Sequence, residues 1–108
     1  AFDAICRHYL HWNQCARFMD GEKIDQRHNE AKRLCDEFKA DGIIYESMKF
    51  CEFWSYDKIL ANHIFTEEFD VPCCTIEKEY ALGSVGQLRT RFQAFIESLE
   101  IKNIQGGK

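Results

Sequence analysis

Two short runs of strand-forming residues, at 43–47 and 71–77, flank a segment whose apolar residues recur with a helical period, and that order leaves few folds open. Asp41-Gly42 is a turn signal that launches the first run, which reads as a strand over 43–46 or 47. In the intervening segment Tyr56, Ile59, Leu60, His63 and Ile64 fall at i, i+3, i+4, i+7 and i+8, and Ser55 is placed to cap the helix. The helix is predicted to close near Phe69-Asp70, because Pro72 pushes Val71 into an extended conformation. The second strand, 71–77, carries the only proline near its start, where a missing N–H is tolerated. Strands joined by a helix of about a dozen residues run parallel with a right-handed crossover. Parallel strands need cover on both faces, so either helices wrap this pair closely or more strands come from elsewhere.

The flanking segments supply helices. Phe2, Ile5, Cys6, Tyr9 and Leu10 have helical spacing and predict a helix ending near His11, followed by a loop that closes on Asp20-Gly21. A long helix follows, with Ile24, Arg27 or His28, Ala31, Leu34, Cys35 and Phe38 along one stripe, which makes Cys35 a core residue; Asp41-Gly42 ends it. After a loop over 78–83, Ser84 and Gln87 match a capping box, leading into Val85, Leu88, Phe92, Phe95, Ile96 and Leu99 on one face. Ile101 and Ile104 extend that stripe, and residues 105–108 read as a frayed tail. The order α-α-β-α-β-α predicts an α/β fold: a short parallel sheet flanked by helices, half of a flavodoxin-like or Rossmann-like lobe, in one domain over 1–108.

Composition narrows the function classes. With 45% hydrophobic and 14% aromatic residues the chain can bury a core, and its net charge of -4 is spread among interspersed acids and bases. Neither nucleic acid nor a membrane surface is expected as a partner. There is no apolar run of about 18 residues and no signal-peptide pattern, so a cytoplasmic location is expected. The six cysteines lie inside regular apolar patterns rather than a loop-rich scaffold, which points to reduced thiols. The sequence opens on Ala1 inside a helical pattern, and a fragment of something larger is expected.

Cys51 is the first candidate for chemistry. It falls between a strand end and a helix start, beside Lys49, where open α/β sheets collect ligands and where thiolates bind metal or attack electrophiles. The alternative is a small apolar filler. Cys6, His8, His11 and Cys15 are zinc-ligand types, but Cys6 and His8 point to different sides of a helix, so surface histidines and a packed Cys6 are expected. Cys73 and Cys74 alternate across a strand and read as packing. Glu77, Glu79 and Tyr80 should lie at the end of the second strand, next to Cys51, with the Ser84 helix start suited to an anion. Arg89 and Arg91 are expected to pair with neighbouring carboxylates. No Gly-rich phosphate loop, Walker motif or Gly-x-Ser-x-Gly elbow occurs.

Three pieces in order resemble a known family: Asp41-Gly42-Ile43-Ile44-Tyr45-Glu46-Ser47 with Lys49-Phe50-Cys51-Glu52-Phe53-Trp54, then Val71-Pro72-Cys73-Cys74-Thr75-Ile76-Glu77, then Gly86-Gln87-Leu88-Arg89-Thr90-Arg91-Phe92-Gln93-Ala94-Phe95. From about Glu22 to Ile104 the chain is similar to the C-terminal part of benzoyl-CoA reductase and 2-hydroxyacyl-CoA dehydratase subunits. The segments Glu77-Lys78-Glu79-Tyr80 and Glu97-Ser98-Leu99-Glu100-Ile101-Lys102 look more like the benzoyl-CoA reductase branch. The resemblance therefore implies the C-terminal lobe of an iron-sulfur subunit in an ATP-dependent reductive dearomatisation of an aromatic acyl-CoA. A 2-hydroxyacyl-CoA dehydratase subunit is the alternative.

It further implies two related subunits, each with a 4Fe–4S cluster, and a separate ATP-hydrolysing activator that injects low-potential electrons one at a time. In that family each subunit supplies three cysteines, and Cys51 matches the last of them; the region that would carry the other two has no counterpart in this sequence. The chain alone is therefore expected to be inactive and to hold no cluster. Phe50, Phe53 and Trp54 would wall the site against water. From another class comes an α/β interaction module whose cysteines only pack.

Overall fold

The computed structural model describes residues 1–81, 83 and 85–106. In chain order the elements are α1 (Phe2–Trp12), a 3-10 turn (Ala16–Phe18), α2 (Gly21–Phe38), β1 (Ile43–Met48), α3 (Glu52–His63), a π-helical turn (Ile64–Glu68), β2 (Cys73–Lys78) and α4 (Val85–Gln105). This is the α/β order predicted, with the two strands paired in parallel from Ile43 beside Cys73 to Met48 beside Lys78. Side chains alternate across a strand, so Ile43, Tyr45 and Ser47 share one face with Cys73, Thr75 and Glu77, while Ile44 and Glu46 share the other with Cys74 and Ile76.

Local chemistry explains the helix ends. The Asp20 carboxylate accepts the Lys23 N–H at 3.0 Å and so starts α2. That helix stops at Phe38, not at Asp41-Gly42: Lys39 turns into the left-handed region (φ 52) and its N–H donates to the Cys35 carbonyl. Gly42 serves packing instead. A Cβ there would lie 2.8 Å from Phe95 Cζ, 3.1 Å from the Pro72 carbonyl oxygen and 3.3 Å from Leu99 Cδ1, so only glycine lets α4 come this close to the sheet.

The central helix departs from expectation in two ways. It begins at Glu52 with Cys51 at the N-cap, while Ser55, expected to cap, sits in the first turn and donates both its N–H (3.0 Å) and its hydroxyl (2.9 Å) to the Cys51 carbonyl. The helical path ends near Phe69-Asp70 as expected, by way of the π-helical turn, in which the Phe69 N–H donates to the Ile64 carbonyl. The face it buries is not the one predicted. Tyr56 is 77% and Ile59 69% exposed, Leu60 and His63 are exposed too, and Asp57 and Ala61 are buried in their place. Asp57 holds that face inward, because it is the common partner of groups on α2 and β1.

Among the described residues the buried apolar ones are Ala61, Phe65, Val71 and Ile76, joined by buried His28, Ser47 and Asp57. On α2 the expected stripe is interrupted: Leu34 and Phe38 are exposed and His28 takes the buried position. The extension of the α4 stripe is also corrected, since among the described residues Ile101 and Ile104 are exposed. Gln105 is helical and the Gly106 N–H donates to the Lys102 carbonyl at 2.8 Å, so the tail is ordered that far. The expected Ser84 cap and the last two residues of the expected frayed tail lie outside the described residues. No helix is long and apolar enough to cross a membrane among the described residues. The chain extends over 55 × 34 × 21 Å with a radius of gyration of 16.4 Å, against about 13 Å for a compact chain of this length.

Candidate functional site

The candidate site lies at the carboxyl end of the strand pair. After Met48 the chain makes a tight reversal: Phe50 takes a left-handed backbone (φ 67) and the Cys51 N–H donates to the Met48 carbonyl at 3.2 Å. The Lys49 N–H donates to the Lys78 carbonyl at 2.9 Å, which carries the strand ladder one residue onward and anchors the loop to β2. Cys51 is thus half-buried at the positive end of α3, fixed by β1 on one side and by the first helical turn on the other.

Glu77 and Glu79 are brought to the same end, as predicted, but both are engaged. Lys58 donates to Glu77 and holds its carboxyl below the usual range; Lys49 donates to Glu79, which pushes the lysine up. Tyr80 is exposed. Met48, Lys49, Phe50, Glu79 and Tyr80 line an open hollow of about 360 Å³. The expected aromatic wall does not form: Phe50 is 92% exposed, Phe53 faces Arg17, and only Trp54 turns inward, against Tyr45 and the Arg27 guanidinium. Trp54 alone is drawn in because the buried ion cluster lies beneath it.

That cluster escaped the sequence reading. Arg27 of α2 donates to Asp57 Oδ1 and the Tyr45 hydroxyl donates to Asp57 Oδ2, both over short contacts, with Asp57 only 6% exposed. Arg27 also lies 4.7 Å from the centre of the Trp54 ring. Burial first, then the hydrogen bond to Asp57, pushes the Tyr45 hydroxyl far above the ordinary tyrosine range, so it stays a donor. His28 is 2% exposed, 3.7 Å from Asp57 and edge-on to Phe65, and neither ring nitrogen has a hydrogen-bond partner. Burial lowers its pKa, Asp57 opposing, and the ring is neutral at pH 7. Five residues apart from chemistry thereby set the position of α3, and with it the Cys51 loop. Only the polar residues at helical spacing, Arg27 or His28 on α2, hinted at it; Asp57 carried no signal.

The remaining cysteines sit apart. Burial, with Cys74 adding, pushes the Cys73 thiol up to about 11, and burial also raises Cys35, as befits packed neutral thiols. His8 stacks on Trp12 at 6.1 Å and Cys6 is half-buried on the same helix. Among the described residues no three His, Cys, Asp or Glu side chains converge, whereas a cubane cluster takes three or four protein ligands. The described residues therefore do not fit a whole cluster.

Residues 1–99 match the family described as 2-hydroxyglutaryl-CoA dehydratase, D-component. The chain belongs to this family. Two curated relatives match it: a protein named "Putative dehydratase subunit YjiM" from Escherichia coli (strain K12), 29% identical over 69% of the chain and 20% of the relative; and the (R)-phenyllactyl-CoA dehydratase beta subunit of Clostridium sporogenes, 36% identical over 80% of the chain and 22% of the relative. The chain spans about a fifth of the length of these relatives. No solved structure matches it at comparable significance. Both relatives carry dehydratase names, so within the resemblance the dehydratase branch is favoured over the benzoyl-CoA reductase branch.

Proposed function

We propose that this chain is the C-terminal lobe of a 2-hydroxyacyl-CoA dehydratase subunit, and that Cys51 supplies one thiolate to an iron-sulfur cluster whose other ligands come from outside these residues. The observation that carries the reading is the family match over 1–99, beside the likeness to a relative named (R)-phenyllactyl-CoA dehydratase beta subunit. A related second subunit and an ATP-hydrolysing activator complete the assembly in this reading, with a 2-hydroxyacyl-CoA as substrate. The geometry supports the role of Cys51: a half-buried thiol at the carboxyl end of a parallel strand, with a rigid loop on one side and a helix N-terminus on the other. The chain's own contribution is to orient that sulfur, through Asp57 behind α3 and the Lys49 bond to β2 before it.

The test uses a full-length subunit containing this sequence, prepared anaerobically with its partner and activator. Replacing Cys51 by Ser should lower iron and sulfide content and abolish dehydration of a 2-hydroxyacyl-CoA. Unchanged iron content would exclude the ligand role and favour an interaction module. Turnover of benzoyl-CoA but not of phenyllactyl-CoA by the unaltered complex would return the assignment to the reductase branch.

A further inference from the structure

Within the Asp57 cluster one titratable group is left out of the bonding. Arg27 donates to Asp57 Oδ1 and the Tyr45 hydroxyl to Oδ2, so both carboxylate oxygens are taken. His28 lies beside them with Nε2 3.7 Å from Oδ1, beyond hydrogen-bond reach, and among the described residues neither ring nitrogen has a partner. Buried polar groups nearly always find one, because a lost hydrogen bond in the interior is not replaced by water. Phe65 stands edge-on to the ring, with centroids 5.5 Å apart, and supplies only apolar contact. His28, Asp57 and Phe65 are already buried among these residues, so chain outside them can only add cover.

Protonation changes the charge balance of this site. With His28 neutral, Arg27 and Asp57 balance one positive charge against one negative. A protonated His28 sets a second positive charge against the same carboxylate, in an interior where a charge without a counter-ion is costly. The charged groups facing the ring are Asp25 and Arg27 on α2, Asp57 on α3 and Glu68 on the π-helical turn. Asp25 and Glu68 are exposed, and water weakens their pull on the ring. Relief comes if α3, which carries Asp57, lifts from α2 and lets water reach the ring. α4 contributes no residue to the cluster and has no such reason to move.

We infer that His28 makes the Asp57 tie proton-sensitive, so that its protonation favours local opening of α3 while α4 stays closed on the sheet. Cys51 is the N-cap of α3, and the opening reaches the loop that carries it whatever role that thiol plays.

Amide hydrogen exchange in a full-length subunit containing this sequence tests the inference. Mass spectrometry reads peptides from 52–63 and 85–105, each rate being divided by that of the same segment without structure at the same pH. Burial lowers the pKa of His28, so between the ordinary 6.5 and the lower folded value each opening takes up one proton. Protection of the α3 amides should therefore fall by up to about tenfold per pH unit as pH drops through that window, while protection of α4 holds. His28→Phe keeps an aromatic ring beside Phe65 but takes up no proton, and should remove the pH dependence of 52–63. Should that variant lose helix by far-UV circular dichroism, His28→Gln is read instead, with the same expectation. Protection of 52–63 that ignores pH in the unaltered subunit would overturn the inference. So would an equal fall in 52–63 and 85–105, which is opening of the whole fold, or a fall that persists in the folded His28 variant. Iron content and turnover play no part in the readout, so failure here leaves the reading of Cys51 standing.

Discussion

On one face of the sheet, α3 is tied down by a single carboxylate: Asp57 takes the Arg27 guanidinium from α2 and the Tyr45 hydroxyl from β1, with His28 and Trp54 packed around them. On the other, α4 lies against β2 and is seated by shape, through Phe95 and Leu99 over the bare Cα of Gly42. The polar face is closed and leaves its helix's apolar stripe, Tyr56 and Ile59, looking outward; the apolar face is half open, with Ile44 exposed between the strands and solvent. The difference teaches that the two faces of one sheet can be held by different means. A buried ion pair fixes geometry strongly even where it adds little net stability, whereas shape packing adds stability in proportion to the area it covers.

The comparison can be broken at its strongest point. Asp57→Ala should strand the Arg27 charge and the Tyr45 hydroxyl in the interior and cost about 3–5 kcal/mol, read from the midpoint of urea unfolding. A loss under about 1 kcal/mol would mean that the cluster is solvated and that α3 is held by its apolar contacts alone. Gly42→Ala attacks the other face. Its Cβ must displace Phe95 or the Pro72 carbonyl, for a cost of about 1–3 kcal/mol, and combining it with Phe95→Ala should cost less than the two changes summed.

The polar face should also respond to mild acid, and the apolar one should not. The pKa of His28 is lowered on folding, so the unfolded chain takes up its proton first; stability is complete above the ordinary value of 6.5 and is lost as pH falls through the folded value. One such group gives a slope of at most about 1.4 kcal/mol per pH unit. His28→Phe, beside Phe65, should flatten the stability profile between pH 7 and 5 while leaving the loss below 4.5, where Glu30 and Glu77 protonate. The charged groups facing His28 are Asp57, Arg27, Asp25 and Glu68; an unaltered slope would show that His28 is not the group responsible. The smallest effect is expected on the outward stripe of α3, where Tyr56→Ser should change stability by no more than about 0.5 kcal/mol.

Much of the architecture was legible because periodicity and turn chemistry are local. The parallel pair, the linking helix and α4 all follow from where Asp41-Gly42, Pro72 and the apolar spacings fall. The position of Cys51 at a strand end before a helix was legible for the same reason. Rotation of α3 was not. Apolar spacing assigns Tyr56, Ile59 and Leu60 to a core, but the orientation is set by Asp57 reaching residues about 30 and 12 positions away, and no local pattern encodes those partners. The aromatic wall failed likewise, since Phe50, Phe53 and Trp54 are equivalent by type and each has a cation beside it, but only the cation next to Trp54, Arg27, belongs to the buried Asp57 cluster.

By itself, then, the sequence determined a strand-helix-strand unit with a thiol at its carboxyl end, because hydrogen-bonding period, chain stiffness at proline and turn formation are properties of neighbouring residues. The tertiary structure decided which helix faces turn inward, that Gly42 is there for close approach rather than for a turn, and that Arg89, expected to pair with a carboxylate, enters no ion pair among the described residues. Those outcomes depend on buried charge and on steric fit between segments far apart in the chain, and they exist only once the segments meet.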